Sequence, residues 1–354
     1  MSNPIGNAKT RLTDLAEQAG VSTATVSRVL NGKAGVASST RQAVLAALDV
    51  LGYERPEKLR TRSAGLVGLI VPELTNPVFP AFAQTIEGLL SQQGYTAMLC
   101  TQSPGGTTED EYLEMLQEHQ VDGIVFVAGL HADTTASRAR YDNLLTRGIP
   151  AVFINGYAEE LKAPFVSCDD FTAMDLAVRH LSSLGHHQIG LAIGPSRFMT
   201  SARKITGFKQ ALERHLGQTD SSDRIAESLY TVEGGQAATT ELLNRGCTAI
   251  VCGSDIMALG AARAARQKGL NIPHDVSIIG YDDSPLIAFT DPPLTTIRQP
   301  VDAMSQAAVS SLRALIEGDP VTRGELMFHP ELVVRNSTGT SPDARRHDYR
   351  TEPN

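Results

Sequence analysis

The residues best suited to chemistry lie in a short segment near the amino terminus. After Ser22, the side chains of Thr23, Ala24, Ser27 and Arg28 share one side of a predicted helix, and the apolar positions fall on the other side. Short polar side chains and one arginine suit the edges of base pairs, because a guanidinium makes two parallel hydrogen bonds to guanine in the major groove. This segment predicts contact with double-stranded DNA.

A second polar group follows a predicted strand in the last third of the chain. Asp282 and Asp283 follow the apolar run at 277–280, with only Tyr281 in between. Ligands of parallel α/β sheets bind at the carboxyl ends of strands, and a carboxylate accepts two hydrogen bonds from neighbouring sugar hydroxyls. We therefore expect Asp282 to contact a small ligand. The alternative is a pair of turn-forming aspartates.

Three predicted helices position the DNA-contacting residues. Ala16, Gly20 and Val26 supply a small residue at the helix crossing, a turn that tolerates positive φ, and an apolar core position, as a helix-turn-helix requires. Residues 1–62 carry nine basic and five acidic side chains in a chain of net charge −8, so only this head is expected to approach a polyanion. The alternative is a three-helix packing module that does not bind DNA.

From residue 65 onward, short β-branched runs alternate with amphipathic helical stretches. This order predicts two parallel sheets with helices on both faces and a cleft between the sheets. The polar sequence from 337 to 354 predicts a disordered tail. The predicted strands are 66–71, 96–100, 123–128, 151–154, 165–167, 189–193, 228–230, 249–252 and 277–281, and the predicted helices include 80–93, 110–118, 173–184, 204–216 and 257–268.

Composition and missing motifs exclude several classes of protein. With 42% apolar and 20% charged residues over 354 positions, the chain is an ordinary globular protein of about two domains. It has no membrane-length apolar run and no signal peptide, which predicts a cytoplasmic protein. Nucleotide-binding loops and hydrolase elbows are missing, so neither an enzyme nor a cofactor is predicted. The pair His186–His187 predicts a structural turn rather than a metal site.

These segments together closely resemble the LacI/GalR family of bacterial transcription regulators. The resemblance extends to about residue 337, and its specific blocks are 14–16, 19–22, 25–32, 40–53, 68–79, 180–186, 254–260, 280–286 and 292–300. Within the family the chain is most similar to the maltose-operon repressors, notably at 54–74 and 100–112.

The resemblance implies an N-terminal all-α helix-turn-helix head followed by an α/β core like that of periplasmic binding proteins, with two Rossmann-like subdomains. The implied domains are a DNA-binding domain at 1–54, a hinge at 55–64, a core at 65–337 and a polar tail at 338–354. The N-subdomain is expected at about 65–184 and 298–324, and the C-subdomain at about 185–297 and 325–337.

The resemblance also assigns DNA-contacting residues. Bases are read by Thr23, Ala24 and Arg28, and phosphates are contacted by Ser22, Thr25, Ser27 and Asn31. Leu59 is the candidate hinge residue that wedges into the minor groove. Because the connector is shorter than is common in the family, a flexible basic linker is the alternative.

For the effector, the implied contacts are Phe79, Asp170, Arg203, Lys204, Ser254 and Asp282. Lys204 stands where many relatives carry an arginine, and lysine lacks the planar fork, so the neighbouring Arg203 could substitute. Phe79 is equally well explained as a core residue, Asp170 as part of a helix cap, and Ser254 replaces a frequent asparagine of the family.

The resemblance therefore implies a homodimer that binds operator DNA and a small sugar effector, with maltose or a maltodextrin favoured, and with no membrane partner. The alternatives are a cytosolic sugar-binding protein without DNA function, a regulator of the same family that activates or needs a corepressor, and a metabolic enzyme on a doubly wound fold.

Overall fold

The structure, a computed structural model, describes residues 12–31, 33, 35–53, 64–102 and 105–344. Its contacts divide the chain into two compact units, Met1–Ala64 and Gly65–Asn354. Within the described parts of the chain, no helix combines the length and the apolar character needed to cross a membrane.

The amino-terminal unit packs three helices around a small apolar core. Helix α1 spans 12–18, α2 spans Thr23–Leu30 and α3 spans Ser38–Val50. Val26 and Val29 of α2 are fully buried. Gly20 adopts φ +66° in the turn after α1, and the Ser22 Oγ accepts a hydrogen bond of 3.1 Å from the Thr25 amide, which caps α2. The predicted helix-turn-helix is confirmed.

The larger unit contains two six-stranded sheets. The first is built from β1 (Gly65–Val71), β2 (Tyr95–Thr101), β3 (Gly123–Val127), β4 (Ala151–Ile154), β5 (Pro164–Cys168) and β11 (Gly324–Phe328). Its order is β11-β5-β4-β3-β1-β2 and every neighbouring pair is parallel. The helices that cover it are α4 (Val78–Gln92), α5 (Glu109–Glu118), α6 (Ala139–Thr146) and α11 (Val301–Glu317). We call this assembly the first lobe.

The second lobe repeats the plan. Its sheet is built from β6 (Ile189–Ile193), β7 (Ile225–Glu227), β8 (Ala249–Cys252), β9 (Ser277–Asp282), β10 (Thr295–Arg298) and β12 (Glu331–Val333). The order is β12-β10-β9-β8-β6-β7, and only the β10–β12 pair is antiparallel. Its helices are α7 (Asp170–Ser183), α8 (Met199–Leu216), α9 (Val232–Asn244) and α10 (Asp255–Gln267). The predicted pair of α/β sheets is confirmed.

The chain passes between the lobes three times, after β5, after β10 and after β11. Two predicted subdomain borders are wrong. Helix α7 packs Met174 and Leu181 into the core of the second lobe, so the first segment of the first lobe ends near residue 168 rather than 184. Strand β11 pairs with β5, so the last crossing follows residue 328 rather than 324. An amphipathic pattern identifies a helix but not the sheet that it covers.

The strand predicted at 228–230 is also wrong, because β7 lies three residues earlier. Tyr230 instead places its ring over Gly194, where a Cβ atom would lie 1.9 Å from the ring, and its hydroxyl lies 2.8 Å from the Ser201 Oγ. The sequence pattern does not predict α9, which contains Gly235. A Cβ atom there would lie 2.2 Å from the Met257 carbonyl oxygen, so glycine allows α9 and α10 to approach closely.

The predicted disordered tail is wrong for residues 337–344. Ser337 is fully buried: its Oγ accepts a hydrogen bond of 2.8 Å from the Thr295 amide and donates one of 2.6 Å to the Ile278 carbonyl. His186 is buried beside it, with Nε2 3.0 Å from the Gly339 carbonyl oxygen. A polar segment can be ordered when buried partners satisfy its hydrogen-bonding groups. Residues 345–354 of the predicted tail lie outside the described residues.

We predict that Ser337→Ala lowers the free energy of unfolding of the core by about 1–3 kcal/mol, because it leaves the buried Thr295 amide and Ile278 carbonyl without a partner. Urea unfolding followed by circular dichroism measures this. Ser310→Ala, at an exposed serine of α11, is the matched control. Equal unfolding midpoints for the two variants would contradict the prediction.

Candidate nucleic-acid interface and ligand cleft

Helix α2 presents a polar surface opposite its buried valines. Thr23, Ala24 and Arg28 are exposed, and Thr25 and Ser27 are half-buried. This surface is short and polar, with a single cationic side chain near the carboxyl end of the helix. A helix of this kind fits the major groove, where such side chains reach base edges.

The side chains predicted to contact phosphates lie at the ends of α2. Ser22 caps the first turn, and the Asn31 Nδ2 donates a hydrogen bond of 2.8 Å to the Ser27 carbonyl at the last turn. Both residues are exposed, so each holds a helix end at the protein surface. Leu59, the predicted minor-groove residue, lies outside the described residues.

Polar residues from both lobes meet where the carboxyl ends of the two sheets face each other. The Asn155 Nδ2, after β4, donates a hydrogen bond of 3.1 Å to the Gln299 Oε1 at the second crossing. Asp133 and Arg197 also form an ion pair of 3.0 Å between the lobes. Polar residues of the two lobes therefore face each other between the sheets, and we call this place the cleft.

Asp282 lies in this cleft at the end of β9 and is 7% exposed. The Gln299 Nε2 donates a hydrogen bond of 2.7 Å to its Oδ1, and the Asn76 amide also hydrogen-bonds to it. Burial raises the pKa of the Asp282 carboxyl well above its ordinary value and Asp255 raises it further, although Lys204 opposes this. A carboxylate held by the side-chain amides of Asn76 in the first lobe and Gln299 at the second crossing can exchange those partners for ligand hydroxyls.

Asp170 and Lys204 form a buried ion pair beside Asp282. The Lys204 Nζ lies 2.6 Å from the Asp170 Oδ1 and 4.0 Å from the centre of the Tyr281 ring. The Tyr281 hydroxyl donates a hydrogen bond of 2.9 Å to the same carboxylate oxygen. Burial by itself lowers the pKa of Lys204, but Asp170 together with Tyr230 and Cys168 outweighs burial, and the pKa is raised. The ammonium therefore stays charged in the wall of the cleft.

The other predicted effector contacts already have structural partners. Arg203 forms a two-pronged ion pair with Glu325 of β11, at 2.6 and 2.9 Å, and so links the lobes. The Ser254 Oγ accepts a hydrogen bond of 3.3 Å from the Met257 amide and caps α10. Phe79 is half-buried and packs against the core of the first lobe.

The sequence analysis did not identify Asn76, Asn155 and Gln299 as residues of the cleft. Asn76 and Gln299 hydrogen-bond to Asp282, and Asn155 hydrogen-bonds to Gln299. A usable signal exists for two of them, because Asn155 directly follows β4 and Gln299 directly follows β10. A polar residue immediately after a buried strand lies at the ligand-binding edge of a parallel sheet. Asn155 also adopts φ +58°, which asparagine tolerates better than most residues.

Comparison with known families and proteins gives a consistent result. Residues 11–56 match the family described as bacterial regulatory proteins, lacI family, and residues 178–338 match the periplasmic binding protein-like domain. The HTH-type transcriptional regulator reg1 of Streptomyces lividans is 61% identical over 340 residues, covering 95% of this chain and 99% of the relative. The regulator MalR of Streptomyces coelicolor is 61% identical over 339 residues, covering 95% and 98%.

Two solved structures match nearly the full length. The lac repressor dimer bound to operator and the anti-inducer ONPF has a TM-score of 0.67 with this chain and is 28% identical, covering 92% of this chain and 98% of that one. The complex of the transcriptional regulator CelR with cellobiose has a TM-score of 0.69 and 29% identity, covering 92% and 99%.

Proposed function

Because the chain belongs to the LacI family of bacterial regulatory proteins and is a DNA-binding transcriptional regulator rather than an enzyme, we propose that it is a cytoplasmic repressor of a sugar-utilisation operon. In this proposal a small sugar binds the cleft and releases the protein from its operator. The observation that carries the effector part is Asp282, a buried carboxylate that Asn76 of the first lobe and Gln299 at the second crossing hold at the cleft.

The DNA-contacting part of the proposal rests on the exposed surface of α2. Arg28 reads a base with Thr23 and Ala24, and Ser22 and Asn31 at the helix ends contact phosphates together with Thr25 and Ser27. The buried Val26 and Val29 orient this surface by anchoring the opposite side of the helix. Base contacts specify the sequence, and phosphate contacts set the register.

For the effector we propose maltose or a maltodextrin. The support is the similarity to the maltose-operon repressors and the chemistry of the cleft, where Asp282 accepts hydrogen bonds from adjacent sugar hydroxyls. Isothermal titration of the purified protein with maltose, maltotriose, cellobiose and ribose tests this choice. We expect heat of binding from maltose and maltotriose, and none from cellobiose or ribose. Binding of ribose alone would overturn it.

We also propose that the protein is a homodimer, because two heads related by a dyad double the contacts to a near-palindromic operator. Leu286 and Phe289, on the short 3₁₀ turn after β9, are 73% and 86% exposed. Apolar side chains presented to this extent suit a contact with a second copy of the chain.

We predict that Phe289→Asp converts a dimer into a monomer, because a charge cannot be buried in the contact without a partner. Sedimentation velocity at micromolar concentration measures this. Leu229→Asp, at another exposed apolar residue of the second lobe, is the control and should leave the dimer intact. A wild-type protein that is monomeric both free and on DNA would contradict the prediction.

A further inference from the structure

The turn that carries Asp282 has an unusual backbone. Asp282 adopts φ +115° and Asp283 adopts φ +58°, and neither is glycine. L-residues in this region are sterically disfavoured, so two in succession persist only where surrounding groups hold them. The position of the Asp282 carboxylate therefore depends on whatever holds this turn.

Asp255, at the start of α10, holds one end of the turn. Its Oδ2 accepts hydrogen bonds from the Ser284 amide at 2.7 Å and from the Ser284 Oγ at 2.5 Å. Its Oδ1 accepts one from the Thr296 Oγ1 on β10 at 2.7 Å. The side chain is buried, and it lies so close to β9 that a Cβ atom at Gly280 would be 2.3 Å from Oδ1.

These bonds are not part of the helix cap. Ser254 caps α10 with its own side chain, so the three acceptor bonds of Asp255 all go to the turn and to a neighbouring strand. Separate contacts hold the middle of the turn. The Asp283 carboxylate pairs with the Arg335 Nη2 at 2.6 Å and the Arg298 Nε at 2.7 Å.

We propose that Asp255 is a positioning residue for effector binding, which acts only through Asp282 by fixing the turn at Ser284. The proposal rests on the proposed role of Asp282 as an effector contact. Since Asp255 reaches the effector only through this turn, removal of Asp255 should weaken effector binding only while Asp282 is present.

A double-mutant cycle tests this, with effector affinity measured by isothermal titration with maltose and operator affinity measured in parallel. Asp255→Ala should weaken maltose binding about tenfold or more, because the turn loses the three hydrogen bonds that Asp255 accepts and the Asp282 carboxylate is no longer held in place. Asp255→Asn should stay within about threefold of wild type, because its oxygen still accepts from Ser284 and its amide can donate to the Thr296 Oγ1. The double variant Asp255→Ala/Asp282→Ala should bind as weakly as Asp282→Ala alone.

Operator affinity separates positioning from general damage, since it should be the same in every variant. If Asp255→Ala does not fold, Ser284→Ala replaces it in the cycle and should weaken binding about threefold, because it removes only the hydroxyl bond. Additive losses in the double variant, or an Asp255→Asn variant as weak as Asp255→Ala, would overturn the positioning role alone. An Asp282→Ala variant that binds maltose normally would overturn the proposed effector contact itself.

Discussion

Asp282→Ala is expected to abolish the response to effector and to leave operator binding intact. The substitution removes a buried carboxylate that accepts hydrogen bonds at the cleft. Loss of a charged acceptor costs about 1.5–3 kcal/mol, which is roughly a ten- to hundredfold loss of effector affinity. Only a difference in affinity for the two states moves the equilibrium, so the variant should stay on DNA at effector concentrations that release the wild type.

The measurement is titration of a preformed complex with fluorescent operator DNA, followed by anisotropy. Asp319→Ala is the matched control, because this exposed aspartate precedes β11 and so lies at the edge of the first sheet away from the cleft. If the Asp282→Ala variant leaves the operator at the effector concentration that releases the wild type, Asp282 is only a turn residue. Phe79, Arg203 and Ser254 would then remain as candidate effector contacts.

Arg28→Ala is expected to weaken operator binding by about 1–3 kcal/mol and to relax specificity at one base pair. The expectation follows from the exposed position of Arg28 on the polar surface of α2 and from the geometry of a guanidinium at guanine. Asn31→Ala should weaken all sequences more evenly, because a phosphate contact carries no sequence information.

Both variants are titrated against an operator selected by the wild-type protein from random DNA, and against a scrambled version of it. The ratio of the two affinities separates reading of bases from attraction to the backbone. Salt concentration is held constant, since phosphate contacts make affinity strongly salt-dependent. Equal losses on both DNAs for Arg28→Ala would contradict its assignment to a base.

The fold was predictable where a local pattern determines it. The head follows from the spacing of Ala16, Gly20 and Val26, and most strands of the two sheets are continuous apolar runs. The pattern fails where long-range packing decides the structure. Helix α9 contains Gly235 because α10 packs so close to it that a side chain would not fit. The segment at 337–344 is ordered because the second sheet supplies hydrogen-bond partners for Ser337.

The cleft was predictable only in part, because a local pattern determines some of its residues and long-range packing determines the others. Asp282 follows an apolar strand and is identifiable from that position alone. The partner of Arg203 is Glu325, more than one hundred residues away in sequence, and no local signal connects them. Likewise, the contact of Gln299 with Asp282 depends on where the chain crosses between the lobes. Because the predicted borders of the lobes are wrong at two crossings, partners across the cleft could not be paired from sequence.

Control of operator binding by a sugar is tested most directly by the release of a preformed protein–operator complex when sugars are added. The operator is the DNA selected by the protein from a random pool, and maltose, maltotriose, cellobiose and ribose are added in turn. We predict that maltose or maltotriose releases the wild-type protein, and that Asp282→Ala stays bound at the same concentrations. Tighter binding to the operator on addition of maltose, or no selection of a specific DNA at all, would contradict it.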